Sequence, residues 1–217
     1  MTQGTWRQTS AVFDDRAAEY DAWFDNSLLF EIELVALRQL VTRCAPPRLE
    51  IGVGPGRFAQ SLAVDYGIDP AFAPLRLAAG RGIEVAQGVG EALPVAAARM
   101  ATVYLLFTLC FLDDPHRVMV ECHRILKPGG HLVLGFVPVE GAWGRALMAK
   151  KEKKHPFYRH ATFYKAGQVI DWLQQAGFVV VEERSSLFQD PGALAGLEES
   201  RPGRDERAGF CLLVGRK

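Results

Sequence analysis

The sequence predicts a doubly wound α/β fold, a mostly parallel sheet of seven strands with a small helical cap and lid. Three observations predict it. Short apolar runs alternate with helix-forming segments along most of the 217 residues. The run Met100–Phe107 is continuous and apolar, as a strand buried on both faces would be. The run Leu49–Gly52 feeds directly into a glycine-dense turn at 52–56 and then a helix. That arrangement places ligands outside the carboxyl ends of strands, where the strand order reverses.

Leu28, Leu29, Ile32, Val35, Ala36 and Leu40 recur at helical spacing, so residues 11–45 read as helical until Ala45-Pro46-Pro47 stops the run. Leu49–Gly52 is the first strand, Phe58–Ala63 a short helix and Tyr66–Asp69 the second strand. Residues 70–79 are helical in composition, with Pro74 confining the helix to the residues after it. Ile83–Ala86 and Met100–Phe107 are the third and fourth strands. Asp114 and Pro115 open a helix as N-cap and first-turn residues, and Val118, Cys122, Ile125 and Leu126 form its inner stripe. Lys127-Pro128-Gly129-Gly130 ends it, and His131–Val137 is the fifth strand. Residues 138–163 interrupt the alternation with a basic, aromatic insertion. Lys165–Ala176 is an amphipathic helix closed by Gly177, and Phe178–Glu183 and Gly209–Gly215 are the sixth and seventh strands. The expected organisation is a single domain over 1–217, with an N-terminal helical cap at 10–45 and a lid at 138–163.

Composition narrows the function. Hydrophobic residues make up 49% and charged residues 23%, and the formal net charge is zero. That balance argues against a general electrostatic grip on nucleic acid or an anionic membrane, leaving only a local basic patch open. Residues 1–25 carry Arg7, Asp14, Asp15, Arg16 and Glu19 and have no signal-like apolar core. The longest apolar run, Ala101–Leu112, is too short to span a bilayer. A cytoplasmic monomer or homodimer is expected. Cys44, Cys110, Cys122 and Cys211 are scattered without metal-ligand spacing, so no metal site is expected.

The turn itself reads Leu49-Glu50-Ile51-Gly52-Val53-Gly54-Pro55-Gly56-Arg57-Phe58. This is G-x-G-x-G with an acid two residues before the first glycine, not the G-x-G-x-x-G of dinucleotide binders. It resembles motif I of the class I S-adenosylmethionine (SAM) methyltransferases. Asp69 ends the second strand, where a carboxylate can accept two hydrogen bonds from a ribose diol or cap the helix opening at Pro70; the roles are compatible. Three further segments are Gly88-Val89-Gly90-Glu91-Ala92-Leu93-Pro94, Arg124-Ile125-Leu126-Lys127-Pro128-Gly129-Gly130, and the opening Phe13-Asp14-Asp15-Arg16-Ala17-Ala18-Glu19-Tyr20-Asp21. In order and spacing these resemble the type 11 branch, the ubiquinone-biosynthesis-like methyltransferases, over residues 13–137.

The resemblance implies SAM as cofactor and S-adenosylhomocysteine (SAH) as product. It implies that Glu50, Gly52, Gly54 and Gly56 line the methionine and ribose part, that Asp69 holds the ribose, and that Gly90 and Glu91 run beside the adenine. Phe107 then falls beside the sulfonium and Tyr20 closes over the site. Two positions depart from the branch. Val89 stands where an acid usually contacts the adenine amino group, leaving Glu91 or backbone groups to substitute. Met100-Ala101 stands where an acid usually opens the fourth strand.

Methyl transfer from a sulfonium depends chiefly on alignment, and no catalytic base is named from the sequence. Leu106-Phe107-Thr108-Leu109-Cys110-Phe111 is not the N/D-P-P-Y of enzymes acting on amide or nucleobase nitrogens, which disfavours that class. In the insertion, Trp143, Tyr158, Arg159 and His160 are the candidates for contact with a small-molecule acceptor, and its cations could accept a carboxylate or phosphate; the alternative is that Lys150–Lys154 is a solvated helix face, with Phe157 and Phe163 packing the lid down. Two readings are open: a SAM-dependent methyltransferase acting on a small molecule, or a non-catalytic protein that binds SAM or SAH as a sensor or accessory subunit. A nicotinamide oxidoreductase is disfavoured by the glycine spacing.

Overall fold

The computed structural model describes residues 5–217. Three helices come first, α1 (Trp6–Asp15), α2 (Ala17–Ala22) and α3 (Leu28–Arg38). The expected single helical run over 11–45 is therefore broken twice. The chain leaves helical geometry at Arg16, and it turns through 23–27 with Asn26 at φ 51° before Ser27 caps α3 by accepting the Phe30 N–H at 3.2 Å. Helix ends at Arg38 because the next segment is held elsewhere: the Glu182 carboxylate accepts the N–H groups of Val41 and Thr42, each at 2.9 Å.

The alternating part runs as β1 (Arg48–Ile51), α4 (Arg57–Ser61), β2 (Tyr66–Asp69), α5 (Phe72–Gly80), β3 (Glu84–Gln87) and β4 (Met100–Leu106). Then come α6 (Pro115–Ile125), β5 (Leu126–Phe136), α7 (Ala142–Glu152), α8 (Ala166–Gln175), β6 (Val179–Ser186), β7 (Arg201–Pro202) and β8 (Phe210–Arg216). The helix after β2 begins two residues before Pro74, because a proline in the first turn gives up only an N–H that has no partner within the helix. Asp114 caps α6 by accepting the Arg117 N–H at 3.0 Å, as its sequence predicts. Lys127–Gly130 does not separate α6 from the fifth strand; Leu126 already pairs with Met100, and the ladder resumes at Thr102 and His131. The K-P-G-G segment is a bulge within β5.

The sheet order is β3-β2-β1-β4-β5-β8-β6-β7. The first five strands are parallel and the last three antiparallel. The eighth strand, two residues at the edge, escapes prediction because nothing in Arg201–Pro202 has strand character. One apolar layer packs α6 and α8 on the sheet through Val118, Met119, Ile125, Val169 and Leu173. The other face carries α3, α4 and α5 through Ile32, Leu37, Phe58, Leu75 and Ala78. Strand order reverses between β1 and β4, so both strands deliver their carboxyl ends to one crevice. Among the described residues no helix is long and apolar enough to cross a membrane, and no group of three metal-ligating side chains forms.

Candidate active site

The crevice is built first by backbone. Gly52 and Gly54 adopt φ 71° and 50°, the left-handed region that side chains disfavour. A Cβ on Gly52 would overlap the Thr108 side chain, whereas one on Gly54 would point into the cleft, 3.4 Å from the Tyr20 ring. Gly56 lies behind the cleft, where its bare Cα faces Ile83 and Ala78 and starts α4. The turn is held by Asp69. One carboxylate oxygen accepts the Gly54 N–H at 2.9 Å and the other the Ala71 N–H at 2.8 Å. The second bond settles the capping role: Asp69 orders the approach to α5 from three residues before it, rather than as its N-cap.

Asp69 is buried, and desolvation pushes its carboxyl up to about 6 against the pull of its two N–H partners. Glu50, on β1, is 2% exposed, and burial together with the Asp69 charge raises it well above the usual carboxylate range. Among the described residues its Oε2 is buried without a hydrogen-bond partner, and neither carboxylate has a cation against it. Two such buried carboxylates suit a ligand that brings positive charge. A SAM molecule, with its sulfonium and ammonium, fits that donor set, and the diol of its ribose fits the free lone pairs of Asp69.

The far end of the cleft is an apolar slot formed by Pro70, Ala71, Pro74, Gly88, Val89, Gly90 and Leu112. Val89 thus stands among apolar neighbours in this slot. Glu91 lines the slot, but its carboxylate turns away to accept the N–H groups of Asp113 and Asp114 at 3.1 and 3.3 Å. Through one carboxylate oxygen it organises the loop leading to α6.

At the other end stand Phe107 and Tyr20. Phe107 has φ 55°, unusual for a side chain of its size, and is stacked between Phe58 and Phe210 at 5.3 and 4.9 Å. Tyr20 packs edge-on against Phe13 at 4.9 Å and Trp23 at 5.4 Å. Helix α2, which carries it, is fastened to the sheet side by Asp21, whose carboxylate bridges Arg57 and Arg81 with contacts of 2.6–3.0 Å.

Phe13, Tyr20, Phe107 and Phe111 line this cleft and also a second cavity of about 580 Å³. Residues 138–163 roof that chamber with Trp143, Phe157, Tyr158 and Phe163, and α3 contributes Leu29 and Glu33 from below. Of the four acceptor candidates in the insertion, Trp143 and Tyr158 face the chamber, while Arg159 and His160 do not line it and Arg159 is exposed. Trp143 is fixed by donating its indole N–H to the Gln189 carbonyl at 2.8 Å. Reasoning from sequence missed Trp23 and Glu33. The available signal for Glu33 was a carboxylate one turn from Leu29 and Leu37 on the inner face of an otherwise apolar helix.

The fold and this cleft define the class: a SAM-dependent methyltransferase, with SAM as its cofactor. The family described as "Methyltransferase domain", of type 11, matches residues 49–134. A crystal structure of a SAM-dependent methyltransferase from Thermotoga maritima, a possible histamine N-methyltransferase, is 33% identical and superposes with a TM-score of 0.89, covering 96% of this chain and 99% of that one. An uncharacterized protein of Mycobacterium tuberculosis is 40% identical over 217 residues, 98% of this chain and 76% of that protein. An uncharacterized protein of Methanocaldococcus jannaschii is 33% identical over 180 residues, 82% of this chain and 86% of that protein. The chain belongs to the SAM-dependent methyltransferase family.

Proposed function

We propose that this chain transfers a methyl group from SAM to a small molecule held in the aromatic chamber. The observation that carries the reading is the junction of cleft and chamber through Phe13, Tyr20, Phe107 and Phe111. Bound SAM supplies a methyl carbon on a positively charged sulfur, with a neutral leaving group. In this reading Glu50, Gly52, Gly54 and Asp69 hold the methionine and ribose part, Gly56 shapes the turn, and Gly90 and Glu91 border the adenine. Phe107 and Tyr20 flank the transfer point and exclude water. Residues 10–45 act as a cap and 138–163 as a lid on a single domain. Trp143 and Tyr158 contact the acceptor; Arg159 and His160 serve the outer surface of the lid. Alignment of acceptor and methyl supplies most of the acceleration.

A chamber of about 580 Å³ suits a metabolite-sized guest, and zero net charge supports an acceptor other than nucleic acid. The Thermotoga relative, as a possible histamine N-methyltransferase, points the same way. Four cysteines without disulfide partners among the described residues support a reducing, cytoplasmic setting. A monomer or homodimer is the proposed assembly. The test is SAH release from SAM over a panel of small amines, phenols, thiols and carboxylic acids, beside tRNA and protein extract. Turnover confined to small molecules is expected. Methylation of the macromolecules alone would overturn the reading.

A further inference from the structure

We infer that Glu33 anchors a basic nitrogen on the acceptor, so that the chamber takes a small apolar or aromatic amine. This rests on the chamber being the acceptor site.

Glu33 sits in the middle of α3, only 7% exposed, between the buried Ile32 and Leu34. Among the described residues its carboxylate has neither a hydrogen bond nor an ion pair, although it lines the chamber. The other acids sit away from the chamber, Glu140 among them, whose Oε2 is also buried without a hydrogen bond among the described residues. Asp21 is bracketed by Arg57 and Arg81, Glu182 accepts two backbone N–H groups, Asp69 faces the cofactor cleft, and Glu50 lies close enough to Asp69 to feel its charge without lining the chamber. A buried carboxylate without a partner is costly, and the chamber that Glu33 lines offers room for one. Lys150, the one cation lining the cavity among the described residues, is exposed and holds its Nζ over the Tyr158 ring at 5.7 Å rather than against Glu33.

The walls select the sign of the guest. Trp23 and Phe111 each lie nearly parallel to Tyr158, at 25° and 21°, with centroids 6.4 Å apart. Aromatic faces attract cations and repel anions, and a carboxylate does the same. A neutral hydroxyl would gain nothing from the rings beyond contact. Burial raises the Glu33 carboxyl well above the ordinary range in the empty chamber, and an ammonium against it favours the ionised form.

The full chain saturated with SAH is titrated calorimetrically with 2-phenylethylamine, its near-isostere 2-phenylethanol, and 3-phenylpropionate. The amine is expected to bind at least about tenfold more tightly than the alcohol, and the propionate more weakly still. Glu33→Gln is expected to erase the preference while SAH affinity stays within twofold, which also reports that the variant is folded; Glu33→Leu is the second variant, with the same expectation. Equal affinity for amine and alcohol, or a preference that survives in both variants, overturns the anchor and leaves the chamber standing. Silence from all three probes overturns the chamber reading together with the anchor.

Discussion

Replacing Asp69 with Asn separates the cofactor role of this residue from its structural one. The wild-type carboxylate accepts the Gly54 and Ala71 N–H groups and keeps its remaining lone pairs toward the cleft. An amide retains one acceptor oxygen and loses the charge. Losing one hydrogen bond to an ionised acceptor costs about 1.5–3 kcal/mol, so SAH affinity should fall roughly ten- to 150-fold. Stability should scarcely move near pH 7. Ionising a carboxyl raised from 3.8 to about 6 costs the cofactor-free protein about 3 kcal/mol. The amide removes that cost but leaves one buried N–H without an acceptor, at about 1–3 kcal/mol, and the two nearly offset. The pH dependence has a definite sign. Because the folded carboxyl is raised, its contribution to stability is complete below pH 3.8 and is lost as pH rises through about 6. SAH affinity runs the other way, increasing through pH 6 as the acceptor ionises. Calorimetry and thermal melting across pH 5–8 on both proteins check this. An Asn variant that binds SAH within twofold of wild type, or that keeps the rise through pH 6, would refute the reasoning.

Three further outcomes are expected from the same geometry. Gly54→Val puts a branched side chain at φ 50° and toward Tyr20; SAH binding should be lost while thermal melting shows the domain still folds, and retained affinity would remove Gly54 from the site. Asp21→Asn loosens the clamp between α2 and the two arginines, at about 1–2 kcal/mol for a pair still partly in solvent. The Asp21 carboxyl is held below its ordinary value by its arginine partners even though burial opposes them, so this stability is present above pH 3.8 and lost as pH falls below it; matched melting curves at pH 3 and pH 7 read the difference. Tyr158→Ala should lower kcat/KM at least tenfold with SAM affinity intact, whereas Arg159→Ala should change neither by more than twofold. Steady-state kinetics on the acceptor found in the panel checks both.

Much of the fold was legible because local signals agree with it. The buried run at 100–106, the Asp114-Pro115 start of α6 and Gly177 after α8 each carry their own physical reason. The cofactor end was legible for the same cause: the turn, Asp69 and the 88–91 segment meet through backbone geometry written into short stretches. The features that escaped depend on distant partners. The end of α3 is set by Glu182, some 140 positions away. The turn of Glu91 toward Asp113 and Asp114 exists only once α6 is in place. The chamber joins α2, α3 and the insertion, so no window of sequence contains both Glu33 and Tyr158. Arg159 looked as eligible as its neighbour because adjacent loop residues point in opposite directions, a choice that composition does not encode.

The most direct test of the cofactor assignment is a calorimetric titration of the full chain with SAM, SAH and NADH. Saturable one-to-one binding of SAM and SAH, with no heat from NADH, is the predicted result. Absence of binding by either sulfur compound, or saturable binding of NADH in their place, would contradict the assignment of the cleft.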